Sequence, residues 1–141
     1  MYVDSAYITK FYVNERDSAA VRKAILAADT VLSSAWVLSE VTCALHRHMR
    51  EGSLNRVQFR ETMNIFLAHV DAGIWTLVPV SERLLRRTAT LMLTSPATVY
   101  LRAGDAFHLV TAQDLGEGEI WTNDRRLLAA APFFGLTGRT L

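Results

Sequence analysis

Four acidic residues lie in largely apolar surroundings, where an ionised side chain is costly unless another group neutralises it. They are Asp4, Glu40, Asp105 and Asp124. If they converge in space, two carboxylates about 5 Å apart repel by roughly 3 kcal/mol at an effective dielectric constant near 20. A divalent cation that prefers hard oxygen ligands, most simply Mg²⁺ or Mn²⁺, would neutralise them. One or two such ions among carboxylates can catalyse phosphodiester hydrolysis.

Each acid also has an ordinary structural explanation. Asp124 stands where a helix N-cap is expected, and Asp4 directly follows an apolar strand. Glu40 and Asp105 have basic neighbours on their own helices, namely His46, Arg47, Arg102 and His108. The spacing from Glu40 to its neighbours is poor for pairing, whereas Asp105 has both partners within one turn. The metal hypothesis therefore depends on the four acids meeting in space.

Short β-like runs alternate with helical runs along the chain. The predicted strands are Tyr2-Val3, Thr30–Ser33, Ile74–Val78 and Glu119–Thr122, with a possible last edge at Phe134–Thr137. The predicted helices cover Ser5–Asn14, Asp17 (as N-cap) to Ala28, Ala35–Glu51 (capped by Ser34), Asn55 (as N-cap) to Asp71, Glu82–Thr94, Arg102–Leu115 and Asn123–Ala131. Strands separated by helices imply right-handed crossovers and a parallel sheet covered on both faces.

This alternation predicts a three-layer α/β/α sandwich with a central parallel sheet. In such folds ligands bind beyond the carboxyl ends of the strands, where helices begin. Asp4 and Asp124 follow predicted strands, and Glu40 and Asp105 lie in the first turns of predicted helices. We therefore expect all four acids at one edge of the sheet.

Composition limits the class of protein. The chain has 141 residues, of which 50% are hydrophobic and 21% charged, and these values are typical of one globular domain covering residues 1–141. A single cysteine and the lack of a long apolar run or signal peptide favour a soluble cytoplasmic protein without disulfides. Fifteen Lys and Arg nearly balance fourteen Asp and Glu, so that an acidic pocket could lie within an otherwise basic surface.

Four segments in order resemble the PIN-domain family and, within it, the VapC-type ribonuclease toxins of toxin–antitoxin pairs. They are Tyr2-Val3-Asp4-Ser5-Ala6, Leu38-Ser39-Glu40-Val41, Leu101–Leu109 and Trp121-Thr122-Asn123-Asp124-Arg125-Arg126-Leu127. Each segment alone is a weak signal, but together they span nearly the whole chain.

The resemblance implies a Mg²⁺-dependent endoribonuclease, with Mn²⁺ as a possible substitute, that leaves 5′-phosphate and 3′-hydroxyl ends. Asp4, Glu40, Asp105 and Asp124 take the places of the family's catalytic and metal-binding acids, with Asp124 the least firmly placed. Ser5 and Thr122 match hydroxyl positions near that site. The implied partners are an RNA substrate, a cognate antitoxin protein and a second copy of the chain in a homodimer, and no membrane.

Positive charge and aromatic rings could bind the substrate. Arg102 and Arg125 are near the acids in sequence, and Arg83, Arg86 and Arg87 form a cluster that could equally make surface ion pairs. Trp36 and Trp121 could stack on a base or lie in the core. The stripe of Tyr7, Phe11 and Tyr12 lies in a region that holds the antitoxin or second subunit in the family.

Other functions remain open or lack support. Cys43, His46 and His48 have zinc-ligand chemistry, but His48 points away from the other two on a helix, so we expect no zinc site. Two alternatives stay beside the toxin hypothesis. One is a PIN-like binding module without catalysis, and the other is an RNA-maturation nuclease with no antitoxin.

Overall fold

The computed structural model describes residues 1–141, and a five-stranded parallel sheet runs through its centre. The strands are β1 (Tyr2–Val3), β2 (Leu32–Ser34), β3 (Thr76–Val78), β4 (Glu119–Trp121) and β5 (Thr137–Arg139). The helices are α1 (Ser5–Tyr12), α2 (Ser18–Ala27), α3 (Val37–Arg50), α4 (Arg56–Asp71), α5 (Glu82–Thr94), α6 (Ala103–Asp114) and α7 (Arg125–Ala130), with a 3₁₀ turn at Ala131–Phe134. This confirms the predicted α/β/α architecture.

The central strand β1 separates two hydrophobic cores. Successive side chains of a strand point to opposite faces, and here Tyr2 packs with residues of α5, α6 and α7 while Val3 packs with residues of α1 to α4. Both side chains are fully buried. The helices therefore form two layers, one on each face of the sheet.

The strand order is β3-β2-β1-β4-β5, and every neighbouring pair is parallel. The chain builds outward from β1 through β2 to β3 and then returns to the other side of β1 with β4. The strand order therefore reverses between β1 and β4, which makes this the topological switch point of the sheet. Ligands of open α/β sheets bind in the crevice at the carboxyl ends of the two strands at such a point.

Local signals set most helix ends. Asn55 and Gln58 form a reciprocal capping box at the start of α4, and the Ser81 hydroxyl accepts from the Leu84 amide at the start of α5. Gly52, with a φ of 81°, follows the C-cap of α3 and adopts the left-handed conformation that other residues resist.

Three predictions of local structure need correction. Asp17 precedes α2 in a left-handed conformation, with a φ of 67°, and its side chain makes no capping bond. Ser34 accepts from the Trp36 amide, but the regular helix begins only at Val37. The last strand is Thr137–Arg139, because the chain from Ala131 to Phe134 continues as a 3₁₀ turn instead of extending.

No helix of the chain is both long enough and apolar enough to cross a membrane.

Candidate active site

A chain of hydrogen bonds joins the carboxyl ends of β1 and β4. Asp4 follows β1, and one of its carboxylate oxygens accepts from the Tyr7 amide at 3.0 Å, which caps α1. The other oxygen accepts from the Thr122 hydroxyl at 2.5 Å. The same hydroxyl oxygen accepts from the Asp124 amide at 2.9 Å. Thr122 thus fixes Asp4 and the start of the Asp124 segment together.

Asp4 is a buried acid without a basic hydrogen-bond partner. Only 3% of its surface is exposed, and its hydrogen-bond donors are a neutral hydroxyl and a backbone amide. Burial raises the pKa of its carboxyl from 3.8 to about 6, against the hydrogen bond from Thr122, the charge of His108 and the bond from the Tyr7 amide. The negative charge of Glu40 raises it further. Its ionised form is therefore destabilised in the folded chain.

Glu40 is held from the other side of the sheet by a buried histidine. His108 Nε2 lies 2.9 Å from Glu40 Oε2, and His108 Nδ1 lies 3.0 Å from the Tyr2 hydroxyl. Burial raises the pKa of Tyr2 well above its ordinary value, so the phenol keeps its proton. Because an ionised carboxylate only accepts hydrogen bonds, the Nε2–H of His108 donates to Glu40. This pairing replaces the predicted partners of Glu40 on its own helix and the predicted Asp105–His108 contact.

Asp105 lies in the first turn of α6, half-buried, where its carboxylate accepts from the Arg102 amide at 3.3 Å. Burial raises its pKa, the Arg102 amide bond opposes that rise, and the charges of Asp124 and Glu40 add to it. The predicted pairing with Arg102 is therefore made through the backbone. The carboxylates of Asp105, Asp124 and Glu40 therefore interact electrostatically.

Gly104 makes room for this arrangement. A methyl group built at Gly104 would collide with Glu40 Oε1 and would lie 3.2 Å from Trp36 Nε1. The start of α6 therefore approaches α3 as closely as a residue without a side chain allows. The sequence assigns no role to Gly104 and offers His108 only as a partner of Asp105, whereas the acid that pairs with His108 in the structure is Glu40.

Asp124 caps a helix and acts electrostatically on Asp105. Its Oδ1 accepts from the Arg126 amide at 2.7 Å and more weakly from the Leu127 amide at 3.4 Å, at the start of α7. The capping explanation is thus confirmed in geometry. The negative charge of Asp124 also raises the pKa of Asp105.

The acids approach one another without forming a closed ligand set. No three histidine, cysteine, aspartate or glutamate side chains lie close enough to hold one metal ion together. The donors nevertheless suit a hard divalent cation in type, because they are carboxylate oxygens and two of them have pKa values raised by burial. The metal dependence stays a prediction.

Beside the acids, a cavity of about 740 Å³ opens between α1, α3 and α4. Ser5 and Glu40 form part of its wall, and Arg47 and Arg50 line it farther along α3. Arg102 and Arg125 are exposed, and their guanidinium groups make no ion pair or hydrogen bond. Both guanidinium groups are therefore free to bind a ligand, and the predicted contact of Arg102 and Arg125 with a substrate stays a prediction.

The other predicted basic cluster is engaged elsewhere. Arg83 makes a two-bond ion pair with Asp114, Arg86 pairs with Glu82, and Arg87 donates to Gln113. The explanation by surface ion pairs is confirmed for this cluster.

The aromatic candidates divide between core and surface. Trp121 packs against the core on the α1–α4 face, and Tyr7 is fully buried with its hydroxyl accepting from the Leu141 amide. Tyr7 is therefore not part of a binding surface, which corrects the predicted stripe. Phe11 and Tyr12 are partly buried, and the Tyr12 hydroxyl bonds to Trp75.

Cys43, His46 and His48 diverge on α3. Cys43 is exposed, His46 packs edge-on against Phe59, and His48 bonds to Ser53 and lies 2.9 Å from a carboxylate oxygen of Glu15. Each residue thus has separate surroundings.

Comparisons with known proteins identify the family of the chain and support its fold. Residues 1–132 match the family model of the PIN domain. Ribonuclease VapC46 of Mycobacterium tuberculosis is 34% identical over 138 residues, which cover 96% of this chain and 93% of that protein. The crystal structure of Mycobacterium tuberculosis VapC20, described as a sarcin–ricin loop cleaving toxin, matches with a TM-score of 0.72 at 13% identity, covering 92% of this chain and 93% of the other. This structural match supports the fold.

Proposed function

This chain belongs to the PIN-domain family and, within it, to the VapC-type proteins, and on that basis we propose that it is a Mg²⁺- or Mn²⁺-dependent endoribonuclease that acts as a toxin. The observation that carries this proposal is the buried carboxyl of Asp4, whose pKa is raised to about 6 and which has no basic hydrogen-bond partner. A bound cation would relieve that cost.

Asp4 and Asp105 are the first candidates to hold the cation. Both have pKa values raised by burial, and both are coupled electrostatically to Glu40. Glu40 completes the set directly or through a water molecule, with its orientation maintained by His108. Asp124 is the fourth acid, and its position is fixed by the first amides of α7.

When bound, Mg²⁺ or Mn²⁺ supplies Lewis-acid chemistry, lowering the pKa of a water molecule and stabilising negative charge on phosphoryl oxygens. The residues of the chain do the remaining work. Thr122 holds one oxygen of Asp4 in place, and a pocket carboxylate accepts the proton of the attacking water. Ser5 lines the adjoining cavity, and its hydroxyl would orient a water molecule or a phosphate oxygen.

The RNA backbone requires positive charge outside the acids. The unpaired guanidinium groups of Arg102 and Arg125 flank the pocket, and each would contact a phosphate. In-line displacement at the phosphorus would leave a 5′-phosphate on one product and a 3′-hydroxyl on the other.

The decisive experiment compares cleavage of structured and single-stranded RNAs by the wild type and Asp105→Asn, with Mg²⁺, with Mn²⁺ and with EDTA. We expect EDTA to abolish cleavage and Asp105→Asn to lower its rate about a hundredfold or more, because a charged ligand is lost. Asp114→Asn is the matched control, since Asp114 lies on the same helix but pairs with Arg83 outside the pocket. It should cut at nearly the wild-type rate.

Cleavage that survives both EDTA and Asp105→Asn would rule out the metal-dependent mechanism. If the wild type binds RNA but cuts none, the chain is a PIN-like binding module. Mass spectrometry of the product ends tests the chemistry separately, because 2′,3′-cyclic phosphate ends would exclude attack by water on the phosphorus.

The toxin role implies a cognate antitoxin, and we propose a homodimer as the free form. The VapC-type relatives support the first point. Expression of the chain alone should arrest growth of a host cell, and co-expression of the small protein encoded beside it should restore growth. Growth arrest without any such protector would favour an RNA-maturation nuclease. Sedimentation equilibrium gives the oligomeric state.

A further inference from the structure

Next to the acids, a second and mostly apolar cavity of about 320 Å³ lies between α5 and the start of α6. Building on the proposed nuclease function, we propose that it is a nucleobase pocket, which accepts an unstacked base of single-stranded RNA next to the scissile phosphate. Trp36 forms its aromatic wall, and Arg102 contacts the adjoining phosphate.

The lining of the cavity suits a flat ring. Trp36 and Phe107 lie with ring centroids 6.0 Å apart and an interplanar angle of 49°, and Leu85, Met92 and Leu101 complete an apolar wall. The cavity is at the small end of ligand pockets, which run from roughly 300 to 1,000 Å³, so it suits a single base better than a folded segment. Base stacking on aromatic side chains is a common mode of single-strand recognition.

The cavity and the acid pocket share a wall. A Cβ atom built on Gly104 would have both Glu40 Oε1 and Trp36 Nε1 as its nearest neighbours, so these two side chains lie on either side of Gly104. Arg102 lines the cavity, and its amide donates to the carboxylate of Asp105. A nucleotide whose phosphate reaches the acids therefore has its base within reach of Trp36.

Exposure and charge favour RNA as the occupant. Trp36 is 38% exposed, although burying a large aromatic side chain would stabilise the fold. Arg102, at the rim of the cavity, has no ion-pair partner. An apolar floor with a free cation at its edge complements a base attached to a phosphate. The only polar groups in the lining are Arg102, Thr88 and the indole N–H, so we expect tolerant stacking with little discrimination between bases.

The test uses an RNA cut by the wild type and compares Trp36→Ala, Trp36→Phe and Tyr100→Ala. Tyr100 is the matched control, because it is an exposed aromatic residue that packs against Arg126 outside the cavity. We expect Trp36→Ala to raise KM about tenfold, which is within the range for loss of one stacked base, with kcat nearly unchanged. Trp36→Phe should restore most of the affinity, and Tyr100→Ala should match the wild type.

A substrate scan identifies the base. Each nucleotide near the scissile bond is replaced in turn with an abasic one. At one position the replacement should weaken substrate binding by the wild type but cause no further loss of binding by Trp36→Ala. An equal abasic penalty in both proteins would overturn the pocket. So would a fall in kcat alone, because that would make Trp36 a support for Glu40. A KM that depends on protein concentration would assign the cavity to a second copy of the chain.

Binding separates this inference from the nuclease proposal. The affinity for RNA can be measured without cleavage by fluorescence anisotropy of a fluorescein-labelled oligouridine. The measurement compares Asp105→Asn with the double variant that also carries Trp36→Ala. If the wild type cuts no RNA but Trp36→Ala weakens this binding about tenfold, the pocket stands and the nuclease fails. If the wild type cuts and Trp36→Ala binds and cuts normally, the nuclease stands and the pocket is wrong. Melting temperatures confirm that each variant is folded.

Discussion

The two ends of α6 carry aspartates with opposite electrostatics. Asp105 lies in the first turn, where the helix dipole favours a negative charge, yet its pKa is raised, chiefly by burial. Asp114 is the last residue, where the dipole disfavours a negative charge, yet its pKa is lowered, first by the hydrogen bond from Arg83. Side-chain surroundings outweigh the helix dipole at both ends.

The two aspartates differ in whether an arginine side chain pairs with them. Arg83 binds both oxygens of Asp114, at 2.8 and 2.5 Å, and Arg87 lies 3.7 Å away. The carboxylates of Asp4 and Asp105 receive no such partner, although Arg102 and Arg125 are near. A pocket of unneutralised acids has a free-energy cost that a structural site would avoid, and the proposed cation explains it.

Replacing the most buried acid should give the largest change in stability. A carboxyl whose pKa rises from 3.8 to about 6 costs the folded state up to about 3 kcal/mol when ionised. Without metal at pH 7 to 8, Asp4→Asn should therefore raise the free energy of unfolding by up to that amount, measured by urea denaturation. The same variant should lose metal-dependent cleavage. A destabilised Asp4→Asn would mean that the bond from Thr122 outweighs the burial cost.

The pH dependence follows from the same two pKa directions. Because the pKa of Asp4 is higher in the folded chain, its effect on stability is most favourable below about pH 4 and declines as the pH rises towards 6. Asp114 has the opposite slope, since its contribution is present above its ordinary pKa and is lost as the pH falls. Asp4→Asn should flatten the decline between pH 4 and 6, whereas Asp114→Asn should leave the slope above about pH 5 unchanged.

The close approach at Gly104 should also be sensitive. Gly104→Ala places a methyl group against Glu40, so we expect the carboxylate to shift and the cleavage rate to fall about tenfold or more, a change of roughly 1.4 kcal/mol. Gly118→Ala is the control, because a methyl group there meets no atom within 4 Å and Gly118 has no positive φ. Equal cleavage rates for the two variants would show that catalysis does not depend on the position of the Glu40 carboxylate.

Bound Mg²⁺ should stabilise the folded wild type more than a variant that lacks one of the pocket acids. At a Mg²⁺ concentration ten times the dissociation constant, the gain is about 1.4 kcal/mol for one site. Differential scanning calorimetry should show the wild type melting at a higher temperature with Mg²⁺, with a smaller shift for Asp4→Asn. An identical shift in both would place the binding elsewhere.

The Asp114 ion pair should matter least. Both partners reach solvent, so salt screening and side-chain entropy reduce its contribution. Asp114→Asn should lower the melting temperature slightly, and less so at 1 M salt than at 0.05 M. A large, salt-independent loss would contradict this view of the pair.

Strand and helix positions followed from local patterns with few errors. Apolar periodicity, Asn55 and Gly52 located most ends, because these signals act over one or two turns. The last strand was misplaced because Phe134 is apolar in either a strand or a turn, and Pro132 with Gly135 in the left-handed conformation selects the turn. Periodicity alone does not distinguish the two.

The sequence was enough to predict which acids lie at the edge of the sheet, but not which side chains form hydrogen bonds with them. Asp4 and Asp124 follow strands, so the topology places them at one edge. The bond between His108 and Glu40 joins residues 68 positions apart, and it depends on how closely α6 approaches α3. Gly104 sets that approach, and a single glycine in a helical pattern is an ambiguous signal without the neighbouring helix.

The bond between Thr122 and Asp4 spans 118 residues of sequence. Most of the chain must therefore be synthesised before the two can meet, and β4 must dock beside β1 for the pocket to exist at all. A nascent chain that has not reached β4 carries Asp4 and Glu40 but has no assembled site. For a protein that cuts RNA, this timing delays the first cleavage until translation of its own message is nearly complete.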